Sequence, residues 1–155
     1  MNPRIRLAAI LTALLAALAV LATPASARPA DTSAAPEARD GYTFPVYVTN
    51  TDTITLRNVY IQFKHRDHTC SDKKDLDAGE RKYYFTCKTW SDVWYHDYWF
   101  GSFDALGRHY QTKTNFYCDL GKNDAGKPVE VTINRQKMTV TPGSTGACTV
   151  SVDPV

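Results

Sequence analysis

Past the first forty residues, apolar side chains recur at every second position in one short run after another, and helical spacing is nearly absent. Phe44, Val46 and Val48 share a face of the first predicted strand. Val59, Ile61 and Phe63 do the same inside Ile54 to His65, with Tyr60, Gln62 and Lys64 opposite. After the polar stretch Ser71 to Glu80 come Tyr83, Phe85 and Cys87, then a strand around Asp97 to Asp104. Ala105-Leu106-Gly107-Arg108 forms a Gly-containing turn into His109 to Thr114, the best hairpin signal in the chain. The last third repeats the pattern in shorter pieces: Asn115 to Leu120, Val129 to Ile133, Met138 with Val140, and Cys148 with Val150 and Val152. This spacing predicts an all-β fold, a single disulfide-linked β-sandwich of about seven to nine short antiparallel strands, with a small barrel as the other arrangement that fits.

The start of the chain does not share the pattern. Arg4 and Arg6, an apolar run from Leu7 to Ala22, and Ala25-Ser26-Ala27 have the layout of a secretory signal peptide over residues 1–27. The run of about 16 residues is shorter than the roughly 20 a membrane span needs, so no transmembrane anchor is expected after cleavage. Ile5 separates the two arginines, so the twin-arginine signature is absent. Residues 28–40, rich in Ala, Pro, Ser and charge, read as a flexible linker, which leaves 41–155 as the folded domain. The whole chain carries 18 basic and 16 acidic residues, a formal charge of +2. Arg4 and Arg6 account for that excess, so the exported part is neutral and nucleic acid is not an expected partner.

All four cysteines, Cys70, Cys87, Cys118 and Cys148, lie in the predicted domain, and no Cys-x-x-Cys pair occurs. An even count in an exported chain favours two disulfides over metal ligation and places the protein outside the cell. Of the three possible connectivities, Cys70–Cys87 with Cys118–Cys148 is preferred, because each pair encloses a short run of strands.

Candidate chemistry concentrates in two places. Trp90, Trp94, Tyr95, Tyr98, Trp99, Phe100 and Phe103 fall within fourteen positions. Adjacent Trp99 and Phe100 must point to opposite faces of a strand, so one enters the core and the other needs a loop, a partner or a ligand to cover it. Trp90, Trp94, Tyr95, Tyr98 and Trp99 are therefore the candidate ligand-binding set, against the plainer reading of a core that uses aromatic rings as bulk. The second place holds His65, Asp67 and His68, then His96 and His109. Such groups can bind zinc or copper or exchange protons, but nothing supplies a fixed third ligand, and solvated loops are the simpler reading. No metal and no other cofactor is expected.

The acidic run Asp72 to Glu80 fails the calcium-loop spacing and reads as a polar turn between strands, with Leu76 inward and Gly79 in a backbone conformation other residues resist. No nucleophile elbow or zinc-protease helix is present, and the three glutamates, Glu37, Glu80 and Glu130, form no obvious pair. No catalytic residue is assigned.

Three stretches carry a likeness: Leu56 to Ile61, Asp97-Tyr98-Trp99-Phe100 leading to the Gly107 hairpin, and Asn115 to Leu120 with the closing Gly146-Ala147-Cys148. Together they resemble small secreted β-sandwich domains of microbes and fungi, and more distantly the aegerolysins, which bind membrane lipids. The resemblance implies an open β-sandwich and transfers no site residues. The expected function is a secreted, non-enzymatic module that binds a glycan, lipid or protein through its aromatic surface. The alternatives are a secreted hydrolase with a site around His65, Asp67, His96 and His109, and a secreted toxin or defence protein.

Overall fold

Each alternating segment becomes a strand, because a pleated chain sends successive side chains to opposite faces and the apolar set needs one sheltered side. The computed structural model describes residues 41–90, 95–113 and 116–155. The signal peptide and linker assigned to residues 1–40, and Trp94 of the aromatic set, lie outside the described residues. Among the described residues ten strands run in the order β1 Tyr42–Asn50, β2 Leu56–His65, β3 His68–Leu76, β4 Arg81–Thr89, β5 Tyr98–Ala105, β6 Arg108–Thr112, β7 Phe116–Tyr117, β8 Val129–Ile133, β9 Lys137–Thr141 and β10 Cys148–Pro154.

The spatial order is β3-β2-β5-β6-β10-β9-β8-β1-β4, with β7 also paired to β5. The fold is all-β as predicted, but the strands make one nearly closed, barrel-like sheet where two separate packed sheets were expected. The reason lies in β10. Its first half, Cys148 to Ser151, pairs with β9, and its second half, Val152 to Pro154, pairs with β6, so the strand carries the sheet around a corner. The expectation of purely antiparallel strands also fails at one place, since β1 and β8 run parallel with Val46 opposite Val129.

The ends of this sheet are β3 and β4, and they face each other across a seam without a backbone ladder. The Cys70–Cys87 disulfide closes the seam, and the second disulfide is Cys118–Cys148, so the preferred connectivity holds. Two lysines cross the same seam in opposite directions: Lys74 of β3 donates to the Tyr83 carbonyl, and Lys82 of β4 donates to the Asp75 carbonyl. Edge carbonyls that would otherwise recruit another strand are thereby capped.

The stretch Asp72 to Leu76, predicted as part of a turn, belongs to strand β3 instead. Its charged side chains hid it, because an edge strand needs little apolar content when its register is imposed by the β2 hairpin partner. Leu76 is fully buried and Gly79 has φ of 75°, as the sequence suggested. The Leu106-Gly107 hairpin is present too, with φ of 52° and 74° and Ala105 paired to Arg108.

Phe44, Phe63 and Trp99 form the centre of the core, with Phe63 5.0 Å from each of the other two rings in edge-on contact. Trp99, predicted on the binding surface, is only 2% exposed. Register decides this: Trp99 lies opposite Phe63 on the inward face, which turns Tyr98 and Phe100 outward. Its indole N–H is satisfied by the Cys118 carbonyl at 3.1 Å. Next along β5, Gly101 leaves room for Met138, whose Sδ would lie 2.7 Å from a Cβ at that position.

The loop after β1 is fastened to the β8–β9 turn by Asp52 and Arg135, with Nε–Oδ2 at 2.7 Å and Nη2–Oδ1 at 3.0 Å. The Arg135 guanidinium holds the Asp52 carboxyl below its ordinary value, against a smaller opposing effect of burial. A group depressed in the folded state stabilises above its unfolded pKa and loses that contribution as pH falls through the folded one. Asp52→Asn is therefore expected to cost about 1 kcal/mol at neutral pH. In urea titrations the gap to the parent protein should shrink as pH is lowered from about 5 towards 2.

Candidate functional site

β2 and β5 are neighbours in antiparallel register, with Lys64 opposite Tyr98 and Gln62 opposite Phe100. Directly opposed residues project to the same side, so these four side chains form one row on the outer face. Phe100 leans on Tyr60 at 6.2 Å between ring centroids, and the Gln62 amide donates to the Tyr60 hydroxyl at 3.0 Å. Tyr98, 37% exposed, packs on Tyr117 at 4.6 Å. Above this row lies an open cleft of about 720 Å³, extended by Tyr95, Arg66 and Asp67. The Arg66 guanidinium sits 4.4 Å over the Tyr95 ring.

Of the predicted aromatic set, Tyr95 and Tyr98 line this cleft as exposed rings, and Trp99 meets it only from the core side. Trp90 lies elsewhere, beside a second hollow described below. Gln62, Lys64 and Arg66 were not among the candidates, and Phe100 was left out of the ligand-binding set although either it or Trp99 had to face outward. The signal for the first two was available in the outward alternation of β2, but their place beside Tyr98 and Phe100 depends on which strand pairs with β2.

The β2–β3 hairpin turns at Arg66-Asp67, with Arg66 at φ 52°, and this places His65 directly opposite His68. Along a single strand the two would diverge; across the turn they face the same side. Trp90 approaches both, its ring centroid 5.7 Å from His65 and 5.8 Å from His68. Gly41 permits this, since a Cβ there would lie 2.6 Å from the Trp90 Nε1. His65, Arg66, Asp67, His68 and Trp90 border a second, open hollow of about 310 Å³, which shares Arg66 and Asp67 with the first.

His65 is 1% exposed, and its Nδ1 lies 2.7 Å from Asp97 Oδ1. Asp97 is itself buried and collects donors: the Thr89 hydroxyl at 2.8 Å on Oδ1 and the Leu120 N–H at 2.7 Å on Oδ2. Its backbone N–H donates to Asp119 Oδ1, and its carbonyl accepts from the Cys118 N–H. Burial pushes the Asp97 carboxyl up, while the Leu120, Thr89 and His65 hydrogen bonds pull it down. An ionised Asp97 carboxylate accepts only, so towards it the His65 Nδ1 is the donor. The His65 Nε2 has no hydrogen-bond partner among the described residues. Nearby, the Tyr42 hydroxyl donates to the Leu120 carbonyl at 2.6 Å, and burial, with Asp97, Asp124 and Asp119 close by, pushes this phenol up to about 12.

The residues grouped as a hydrolase candidate have separate partners. His65 joins Asp97 and not Asp67, exposed His96 joins Asp119 at 2.9 Å, and exposed His109 joins Asp104 at 2.7 Å beside the β5–β6 hairpin. One group among the described residues has metal-ligand spacing, His68 with Cys70 and Cys87, but its two sulfurs are bonded to each other and offer no thiolate. No family model matches this chain, and comparison with curated proteins finds no match to it.

Proposed function

We propose that the protein is a secreted, non-enzymatic module that binds a glycan along the outer face of β2 and β5. The observation that carries this is the row of outward-facing Tyr98 and Phe100 with Gln62 and Lys64 beneath an open cleft of about 720 Å³. Aromatic faces stack on the C–H faces of pyranose rings, while an amide and an ammonium reach ring hydroxyls from the same row. Because these side chains stand on hydrogen-bonded strands and not on loops, little ordering is needed on binding. A lipid surface would favour a continuous apolar patch, whereas Lys64, Arg66 and Asp67 interrupt this one. Secretion is supported by the leader-like residues 1–27 and by two disulfides, which fit an oxidising compartment.

Calorimetric titration with chitohexaose, cellohexaose and hexagalacturonate, and with phosphatidylcholine vesicles, tests the proposal. Binding of at least one hexasaccharide is expected, with Tyr98→Ala and Phe100→Ala each weakening it roughly tenfold, the value of one stacked ring. Binding to vesicles alone, or hexasaccharide binding that both substitutions leave unchanged, would exclude the outer face as a glycan site.

A further inference from the structure

We infer that the β3–β4 seam holds a thiol-dependent metal site: once a dithiol reduces the Cys70–Cys87 bond, the two thiolates and the His68 Nε2 bind one zinc ion, which clasps the seam in place of the disulfide. The site needs no ligand on the outer face, so it stands or falls apart from the glycan reading.

The three donors come from two strands that have no backbone ladder between them. His68 and Cys70 stand two positions apart on β3 and therefore project to one side, and Cys87 reaches them from β4. All three donor atoms lie within 4.8 Å of one another, and the His68 Nε2 is already 3.5 Å from the Cys70 Sγ. A tetrahedral zinc with its usual bond lengths sets a nitrogen and a sulfur donor about 3.5 Å apart and two sulfurs about 3.8 Å apart. Binding therefore asks chiefly for the two sulfurs to part. Trp90 packs on the imidazole at 5.8 Å between ring centroids and helps to hold it in this pose. One imidazole with two thiolates is a donor set for a thiophilic cation, zinc foremost, with water in the fourth position. No third donor of this kind accompanies Cys118 and Cys148 among the described residues.

The reduction balances on the same atoms. A dithiol sulfur attacks the Sγ of Cys70, which is only partly buried, and the electrons of the broken bond leave on Cys87, which is 2% exposed. The second dithiol sulfur then displaces Cys70, so the dithiol departs as a cyclic disulfide and the seam keeps two thiols. Zinc binding releases their protons to water, and the two thiolates offset the charge of the ion. A cross-link thus returns where the covalent one was opened. An oxidising compartment favours the disulfide, so the zinc form belongs to reducing surroundings and to the newly made chain before its bridges close.

To test this, the protein is reduced with dithiothreitol, freed of reductant without air and titrated with cobalt(II), whose thiolate charge-transfer and tetrahedral d–d absorptions report the donors. The parent is expected to take up a single equivalent with both absorptions. That equivalent should be lost when Cys70→Ser and Cys87→Ser are combined. His68→Ala should weaken it by at least about tenfold, since even groups standing behind a ligand are worth that much. Zinc should displace the cobalt and restore amide protection in β3 and β4 of the reduced parent. Should reduction unfold the parent, recovery of its strand circular-dichroism signal on adding zinc, absent in His68→Ala, reads out the same site. Four results would each overturn it: no absorptions in the parent, their full survival without Cys70 and Cys87, indifference to His68→Ala, or a seam that zinc leaves unprotected.

Discussion

Replacing Cys70 and Cys87 together by serine is expected to lower the unfolding free energy by about 3 kcal/mol, the chain-entropy value for a loop of this length. The two residues are separated by 17 positions in sequence, yet they join the first and last strands of the spatial order. The bridge therefore does more than shorten the unfolded chain. Without it, the β3–β4 seam is held by the Asp77 to Glu80 turn at one end and by the crossing lysines Lys74 and Lys82, which are exposed and contribute little. Hydrogen exchange should show the difference: β3 and β4 amides lose protection well before β8 and β9. Removing Cys118 and Cys148 instead should cost slightly more in total, about 3.5 kcal/mol for its longer loop, without selective opening at that seam. Equal protection loss across the whole sheet after Cys70→Ser and Cys87→Ser would show that the seam is not a separate unit.

The second large effect is expected at Asp97. Asp97→Ala leaves the His65 Nδ1–H, the Thr89 hydroxyl and the Leu120 N–H without acceptors in a buried site, and the cost should be about 3–5 kcal/mol in urea denaturation. Asp97→Asn keeps an oxygen for His65 and Thr89 but turns an N–H towards the Leu120 N–H, so a smaller loss of roughly 2 kcal/mol is expected. The order of these two variants is the discriminating measurement. Were Ala tolerated as well as Asn, the donors around Asp97 would have to find water or other partners, and the held orientation of His65 would lose its basis.

Much of the fold was legible because strand alternation is a local property. Phe44, Val46 and Val48, then Val59, Ile61 and Phe63, are inward-facing and fully buried as their spacing implied. The Leu106-Gly107 hairpin was legible for the same reason, since the turn chemistry sits within four residues. β3 was not, because its strand character comes from pairing with β2 and its own residues are mostly charged. At the candidate site, Tyr95 and Tyr98 were named from aromatic density alone, while the companion residues Gln62 and Lys64 come from a strand more than thirty positions earlier. Trp99 shows the limit of density as a guide, because one step of register separates a core ring from a surface ring.

By itself, then, the sequence determined the strand class, most of the inward faces and a preferred cysteine pairing, all of which follow from period-two patterning and short-range turn chemistry. Only the tertiary structure decided that β10 turns the corner between β9 and β6, that β1 and β8 run parallel, and that a disulfide closes the last gap in the sheet. It also decided that His65 meets Asp97 across 32 positions. These are pairings between distant segments, set by the joint packing of the whole core, and no local run of residues encodes them.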